Sequence, residues 1–396
     1  MFLAANISGQ NVLLLEKMTV PGKKILLSGG GMCNLTNCDS TDDFLSSFGH
    51  KSQANFLKPA LLNLTTAATR QWFGNHGLTL VIREDGKVFP ASLKAQSVVD
   101  CLRRGALENK VIIKTSAEVT ALVKEEGSFS IITTTNAYKS NKVVIATGGK
   151  SFESTGSDGF GYILAKSFGH RIIEPTQALT AVTLEDYALA DLAGNSLRQS
   201  SVDFFRNGDM KKYKSDRGDL LFTHKGISGP VILNNSRYIQ KHDLLKASLI
   251  STGNKENARI ELHQAFLSDP KKKVNSIVKA LGVFSGLAGL LLNSLNLSQD
   301  EKCGNLNKKK RNQLISLLLD YPFKVSRKGY FSSAMVTAGG VDLGEVDRKT
   351  MESKLSKGLY FAGEVLDIDG NTGGYNIQAA FSTAYLIAST LKKSDK

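Results

Sequence analysis

The sequence predicts a doubly wound α/β domain that is interrupted by a long insert. Three short apolar runs carry this prediction, because each has the length and composition of a buried parallel strand. They lie at residues 11–16, 141–149 and 358–363. Strands that alternate with helices along the chain are typical of this fold class. A long stretch separates the second run from the third, so the domain must contain additional structure there.

The elements of this domain can be assigned in order along the chain. Residues 1–8 are expected to be the end of a helix, and the first strand follows at once. Two hairpin-like strands, 111–124 and 128–135, precede the second run. After the third run comes a Gly- and Asp-rich loop, and then a helix from about Asn376 to Leu391, because apolar residues recur there at helical spacing.

The insert is predicted to have two parts of different character. Residues 175–253 contain short alternating runs and are expected to be rich in β-structure, whereas residues 254–330 show longer helical periodicity. The α/β domain is therefore discontinuous and comprises residues 1–174 and 331–396.

Positive charge is concentrated in the insert. The chain carries 50 Lys and Arg residues against 36 Asp and Glu residues, and residues 206–328 alone carry 23 against 10. Such a basic block indicates a polyanionic partner, since basic surfaces attract phosphate backbones through counterion release. Lysine clusters at 271–273 and 308–311 belong to this block. The alternative is a solvated basic face that binds nothing.

Composition excludes several classes of protein. Hydrophobic residues at 41% and charged residues at 22% are typical of a globular chain with a core. The four cysteines, Cys33, Cys38, Cys101 and Cys303, form no metal-binding pattern and favour a reducing compartment. The most apolar stretch, 280–292, is too short to span a membrane. We therefore expect a cytoplasmic protein, a monomer, with no metal and no membrane contact.

Four short motifs could bind a cofactor. Glu16 ends the first strand, where an acid binds ribose hydroxyls in dinucleotide folds. Glycine-rich turns, which let a backbone approach a ligand, occur at 28–34, 146–149 and 361–378. The last of these contains Glu364 and Asp367 and opens a helix, whose positive N-terminus could stabilise an anion. Each motif alone is weak evidence, and a plain turn is the alternative for each glycine pair.

Together these motifs resemble the BaiN/RdsA (YhiN-like) family of FAD-dependent oxidoreductases, also described as aminoacetone-oxidase-like flavoproteins. The resemblance extends over the whole chain. It rests on the segments Ser-Gly-Gly-Gly-Met-Cys-Asn-Leu-Thr-Asn at 28–37, Ala-Thr-Gly-Gly at 146–149, Leu-Phe-Thr-His-Lys-Gly-Ile-Ser-Gly-Pro at 221–230, Val-Thr-Ala-Gly-Gly-Val at 336–341, Thr-Met-Glu-Ser-Lys at 350–354 and the closing block at 361–378.

The resemblance implies a Rossmann-like FAD/NAD(P)-binding domain of the two-dinucleotide-binding flavoprotein type, with a β-rich and a helical subdomain inserted. It implies FAD as cofactor and NAD(P)H as reductant. For some members it implies reduction of uridine to dihydrouridine in large-subunit ribosomal RNA, and for others reduction of steroid-like small molecules. The residues expected to line the cofactor are Glu16, Lys17, Lys24, Ser28, Gly29, Gly30, Gly31, Cys33, Asn34, Val119, Thr147, Gly148, Gly149, Gly363, Glu364, Gly373, Gly374, Tyr375 and Asn376.

Reduction of a carbon–carbon double bond also needs a proton donor, because hydride reaches only one of the two carbons. Three residues are candidates for this general acid. Cys33 follows the first glycine turn, Tyr375 follows the glycine pair before the last helix, and His224 lies in the insert that is expected to cover the flavin, beside Lys225. Each candidate also has a role other than that of general acid. Cys33 could be a packed thiol, Tyr375 a ring that stacks on the flavin or the base, and His224 a structural histidine. The basic insert favours RNA as substrate over a small metabolite.

The sequence departs from the family pattern in two places. No G-x-G-x-x-G loop precedes Glu16, so the first strand and the phosphate loop are expected to lie in coding sequence upstream of Met1. Met32 stands where the family usually has arginine. A third function therefore stays open beside the two enzymes, namely a basic RNA-binding protein that lacks the cofactor.

Overall fold

The structure, a computed structural model, describes residues 1–393. The described helices are α1 Lys23–Leu27, α2 Thr41–Ser46, α3 Lys51–Asn63, α4 Thr66–Asn75, α5 Ala95–Glu108, α6 Phe160–Ser167, α7 Pro230–Leu233, α8 Lys255–Ser268, α9 Val274–Ala280, α10 Ser285–Ser294, α11 Lys308–Leu319 and α12 Tyr375–Lys393. The described strands are β1 Leu13–Leu15, β2 Thr36–Asn37, β3 Leu80–Ile82, β4 Lys87–Pro90, β5 Ile112–Lys114, β6 Val119–Glu125, β7 Ser128–Thr133, β8 Ala137–Ser140, β9 Val143–Ile145, β10 Ile172–Ala178, β11 Val182–Leu184, β12 Ser196–Phe205, β13 Lys212–Thr223, β14 Gly226–Ser228, β15 Leu244–Ala247, β16 Tyr321–Lys328, β17 Val336–Val341 and β18 Leu359–Phe361.

The chain divides into two compact units. The first unit contains residues 1–178 and the chain from Tyr330 onwards, and the second contains residues 179–329. These divisions lie within four residues of the boundaries expected for the insert. Residues 394–396 of the predicted last segment lie outside the described residues. Each unit has its own cluster of buried apolar side chains, so each has its own core.

Parallel strand pairs form the α/β part of the first unit. β1 pairs with β5 and β9 pairs with β18, both in parallel, and the helices α5 and α12 pack their buried faces into the same core. A three-stranded antiparallel sheet, β6-β7-β8, and a second small sheet, β2-β4-β3, complete this unit together with the β10–β17 pair. The α/β class is confirmed.

Two local predictions for this unit are wrong. The helix expected at residues 1–8 is only a three-residue 3-10 turn, Ala4–Asn6, because the chain becomes extended at Ile7. The single strand expected at 111–124 is two strands in different sheets. The break falls where Ser116 takes a positive φ of 51°, after which β6 pairs with β7 and no longer with β1.

The second unit is built around a closed six-stranded barrel in the order β11-β14-β13-β12-β15-β16, with β16 closing onto β11. Buried and partly exposed residues alternate along β12, as in Val202, Asp203, Phe204 and Phe205, which is the pattern of a strand with one face on a core. The helices α8 to α11 lie between β15 and β16 in sequence and share the barrel's apolar cluster. The sequence division at 253/254 therefore separates elements that share one core.

Candidate functional site

Glu16 lies directly after β1 in the first unit, and backbone hydrogen bonds fix its position. Its amide donates to the Lys114 carbonyl at 2.8 Å, and its carbonyl accepts from Ala117 at 2.9 Å. One carboxylate oxygen, Oε1, accepts from the amide of Met18 at 2.9 Å. Burial raises the pKa of this carboxyl group, against the lowering effect of that hydrogen bond. The result is a half-buried acid at the carboxyl end of a parallel strand, where ribose hydroxyls bind in dinucleotide folds.

Lys17 pairs with protein carboxylates rather than pointing to an open site. Its ammonium group contacts Asp158 and lies 3.1 Å from Glu118, and the hydrogen bond to Asp158 raises its pKa. These contacts tie the end of β1 to the turns before β6 and α6. The geometry favours a role for Lys17 in positioning Glu16. Val119 follows Glu118 in the sequence and is partly buried at the start of β6.

The turn at Gly29, Gly30 and Gly31 is exposed and left-handed, with φ values of 56°, 65° and 85°. Open space surrounds Gly30, since no heavy atom lies within 4 Å of the position of an added Cβ. The preceding Ser28 hydroxyl donates to the Ile25 carbonyl at 2.6 Å. Nearby in sequence, the buried side-chain oxygen of Asn34 has no hydrogen-bond partner. A buried acceptor without a donor fits a ligand that supplies one.

Cys33 follows this turn and is completely buried, with 0% of its surface exposed. Burial raises the pKa of its thiol to about 11, although a hydrogen bond with Ser28 opposes the shift. A ligand could reach this thiol only after the surrounding residues moved. The geometry thus favours the packed-thiol alternative over a role as general acid or cofactor contact.

The side chain of Glu364 joins three segments that are far apart in the sequence. Its Oε2 accepts from the Lys24 ammonium at 2.7 Å, and its Oε1 accepts from the Thr337 amide at 2.8 Å and from the Ser151 hydroxyl at 3.3 Å. Lys24 belongs to α1 before the first glycine turn, and Ser151 follows Gly149. The predicted hydroxyl-binding carboxylate is therefore held by protein groups, and it fixes three segments around one point.

The glycines at 148 and 149 serve close backbone packing. Gly148 is left-handed with a φ of 77°, and a Cβ there would lie 2.9 Å from the Ser157 hydroxyl oxygen. A Cβ at Gly149 would collide with the Thr337 side chain, 2.7 Å from its Cβ. Thr147 is exposed beside them. The strand end thus packs tightly on one side and leaves Thr147 accessible on the other.

The closing block places the first turn of α12 against the segment that follows the first glycine turn. A Cβ at Gly374 would lie 2.7 Å from the carbonyl of Thr36, and the Asn37 amide group donates to the Gly373 carbonyl at 3.3 Å. The Thr36 hydroxyl donates to Gln378 at 2.6 Å, and the Asn376 side chain bonds both backbone groups of Gly370. Two motifs that lie at opposite ends of the sequence are therefore adjacent.

Tyr375 begins α12 and points toward α2. Its hydroxyl donates to Asp39 at 2.6 Å, and its ring lies 5.0 Å from that of Phe44. Burial, and then the hydrogen bond to Asp39, raise its pKa to about 12. His224 lies in the second unit, exposed with Lys225 in the turn between β13 and β14. The three candidate acids are thus a buried thiol, a half-buried phenol and an exposed imidazole.

Sequence reasoning missed three polar residues around Glu364. Thr337 and Ser151 bind each other at 2.8 Å, and the Lys150 amide donates to Thr337 at 2.8 Å. The buried hydroxyl of Tyr162 has no hydrogen-bond partner, and burial and the charges of Glu364 and Asp367 raise its pKa. The signal for Thr337 was present in the Val-Thr-Ala-Gly-Gly-Val segment, whereas nothing in the sequence marked Tyr162.

Several groups of the first unit could contact FAD. A small cleft at the start of α12 is lined by Gly363, Glu364, Asn376 and Ala380, among others. Elsewhere in the same unit lie the Glu16 carboxylate, an open glycine turn and an unsatisfied buried amide oxygen at Asn34. Among residues 1–393, no group of three or more His, Cys, Asp or Glu side chains is arranged to hold a metal. No helix in the same part of the chain is long and apolar enough to cross a membrane.

Comparison with known proteins defines the class of this fold. The chain matches the family described as "HI0933-like protein Rossmann domain" over residues 1–390. A ribosomal RNA dihydrouridine synthase of Haemophilus influenzae is 32% identical over 402 aligned residues, which cover 99% of this chain and 96% of the relative. A 3-dehydro-bile acid delta(4,6)-reductase of Clostridium scindens is 31% identical, covering 95% and 91%. The 3-ketosteroid delta1-dehydrogenase of Sterolibacterium denitrificans shares the fold, with a TM-score of 0.50, 13% identity and coverage of 99% and 97%.

The fold is that of an oxidoreductase with a Rossmann domain, a class for which FAD is the supported cofactor, and the residues described above are the candidates to hold it. This chain belongs to the HI0933-like family, which confirms the resemblance seen in the sequence.

Proposed function

We propose that this protein uses NAD(P)H and FAD to reduce uridine to dihydrouridine in large-subunit ribosomal RNA. The observation that favours RNA over a small molecule is the charge of residues 206–328, with 23 basic residues against 10 acidic ones. The relative from Haemophilus influenzae, named a ribosomal RNA dihydrouridine synthase, supports the same substrate. A neutral small molecule would give no reason for such a basic unit.

Bound FAD would supply the hydride that is added to the C5=C6 bond of uracil. In the proposal, Glu16 holds the adenosine ribose through its carboxylate, and the peptide groups at Gly29–Gly31 and the Asn34 side chain contact the cofactor. The first-turn amides of α12 would stabilise negative charge on the bound cofactor. The ion pair between Lys24 and Glu364 holds the two cofactor-binding turns together.

The remaining step is protonation of the other uracil carbon. Tyr375 keeps its proton at neutral pH because its pKa is about 12, and it is oriented by Asp39. His224 is the alternative donor, since it is exposed on the basic unit. The buried Cys33 thiol fits this role less well than either residue.

A reductase of a small metabolite is the second candidate function. The observation that favours it is the 31% identity to the bile acid reductase, because reduction of a conjugated double bond in a steroid also combines a hydride with a proton. A basic RNA-binding protein without cofactor is the third candidate.

Mass analysis of large-subunit RNA from a strain that lacks this protein tests the proposal. We expect one dihydrouridine to be lost and to return when the wild-type protein is supplied. Unchanged dihydrouridine, together with turnover of a steroid enone by the purified protein, would establish the second function. Absence of flavin absorbance from the purified protein would establish the third.

A further inference from the structure

Two lysine clusters that are far apart in sequence lie side by side in the second unit. Backbone hydrogen bonds join the turn at 269–273 to residues 301–304. The Val274 amide donates to Glu301 at 2.9 Å, the Cys303 amide donates to Lys272 at 3.0 Å, and the Gly304 amide donates to Pro270 at 2.9 Å. The position of the first cluster is therefore fixed by the main chain and does not depend on lysine side chains.

The second cluster begins four residues after Gly304. The Asn307 side chain accepts from the Lys310 amide at 2.9 Å, so the three residues that follow Asn307 form the first turn of α11. Four residues span at most about 14 Å, so this turn lies close to the Pro270 turn. Val274, Cys303 and Leu306 are buried in the apolar core of the unit, which anchors both segments to it.

We call residues 269–273 and 300–311 the lysine surface. They carry eight Lys and Arg residues against three acids, Asp269, Asp300 and Glu301. One ion pair neutralises part of this charge, with Lys273 at 2.6 Å from Asp300. Five exposed lysines make no ion pair within the described part of the chain, namely Lys271, Lys272, Lys302, Lys308 and Lys309. Most of the positive charge is therefore available to a partner.

The chemistry of this surface selects among polyanions. It contains no aromatic residue, so it offers no aromatic ring on which a base could stack. Its apolar residues Cys303 and Leu306 are buried and its exposed Pro270 is small, so it has no large exposed apolar side chain to enter a lipid interface. Lysine ammonium groups act as point charges for phosphate oxygens. These features favour a sugar–phosphate backbone recognised without regard to sequence.

We propose that the lysine surface is the site at which the second unit binds the phosphate backbone of RNA. This inference rests on the proposed function for the identity of the polyanion. Within the basic segment 206–328, it places RNA binding on this one surface. The surface then contributes affinity for RNA and does not select the target nucleotide.

The test compares two variants of the full chain that lose the same number of charges. K271Q/K272Q/K308Q/K309Q removes four lysines of the surface, and K58Q/K94Q/K110Q/K166Q removes four exposed lysines of the first unit. Binding to protein-free large-subunit ribosomal RNA is measured from low to moderate salt. We expect the first variant to bind RNA at least about tenfold more weakly. The slope of log affinity against log salt concentration should become shallower by about 3, because each of four lost phosphate contacts contributes ~0.7–0.9 to it. The control should bind like the wild type.

Further measurements separate this inference from the proposed function. Equal thermal stability and flavin content in both variants would show that folding is intact. RNA binding that is lost only in the first variant supports the surface even if no dihydrouridine is formed. If the enzyme forms dihydrouridine and the first variant keeps the wild-type RNA affinity and salt slope, the surface is overturned while the function stands. Two other results would also overturn the surface. One is an equal loss of RNA affinity in both variants, and the other is a first variant that loses affinity for anionic lipid vesicles as strongly as it loses affinity for RNA.

Discussion

Two acidic side chains in the first unit, Glu16 and Glu364, differ in the hydrogen-bond partners that the protein gives them. Glu16 and Glu364 were both predicted to bind hydroxyl groups. Glu364 is held by Lys24, Thr337 and Ser151, whereas hydrogen bonding at Glu16 engages one oxygen through the Met18 amide. The two acids therefore differ in what they can still bind, and Glu16 is the better candidate for direct contact with FAD.

Replacing Glu16 with alanine should weaken FAD binding by roughly 1–3 kcal/mol, because charge-assisted hydrogen bonds to the ribose would be lost. Flavin retention on serial dilution and titration of the apoprotein measure the change. Glu108→Ala, which removes an exposed acid at the end of α5, is the matched control. Unchanged FAD affinity in the Glu16 variant would contradict the ribose role.

Cys33 should be inert toward iodoacetamide at pH 7.5 in the folded protein. Its pKa of about 11 leaves almost no thiolate at this pH, and the side chain is buried. Cys38 is exposed and should react, whereas Cys101 and Cys303 are also buried. Peptide mapping should show one modified cysteine in the native chain and four in urea. Rapid native labelling of Cys33 would restore it as a candidate acid.

At the scale of elements, the site is made where loops from distant parts of the chain close on each other. The first turn of α12 packs on the Thr36 backbone, and Glu364 joins α1 to the segments at 151 and 337. Glycine is needed where these backbones touch. Gly374 and Gly30 are both left-handed, but only Gly374 has a neighbouring backbone within 3 Å of an added Cβ.

Gly374→Ala should therefore lower the free energy of unfolding by about 2–4 kcal/mol, from backbone strain together with a clash against rigid main chain. Gly30→Ala shares the positive φ but meets open space, so it should cost only about 1 kcal/mol. Urea unfolding of both variants measures the difference. Equal costs would show that the contact with Thr36 does not constrain the turn.

At the scale of the whole molecule, the two units have separate cores and different chemistry. The first unit carries the candidate cofactor-binding motifs, and the second carries most of the excess positive charge. The second unit is continuous in sequence, and its ends meet, because the Gly329 amide donates to the Ala181 carbonyl at 3.0 Å. A barrel that closes on itself leaves no open sheet edge for the first unit to complete.

Residues 179–329 should therefore fold when they are expressed alone. We expect a cooperative thermal transition by circular dichroism, with mixed α and β content. In the complementary test, a short Gly/Ser linker replaces these residues and the remaining chain should still bind FAD. A second unit that shows no cooperative transition would contradict the independence of its core.

The sequence by itself determined the fold class and the family, and it predicted the place of the insert, because these follow from short-range patterns. Apolar runs mark parallel strands, and glycine-rich turns keep their spacing whatever their surroundings. The concentration of lysines in residues 206–328 was equally visible. The start of the chain and the strand at 111–124 were predicted wrongly, since partners distant in sequence decide where those elements end.

Only the tertiary structure decided which groups are available for chemistry. It buried Cys33, paired Lys17 and Glu364 with protein groups, and left the buried hydroxyl of Tyr162 without a hydrogen-bond partner. It also brought residues 269–273 and 300–311 together as one surface. The physical reason is that hydrogen bonds, ion pairs and burial join residues without regard to their separation in sequence, and a motif does not contain its partner.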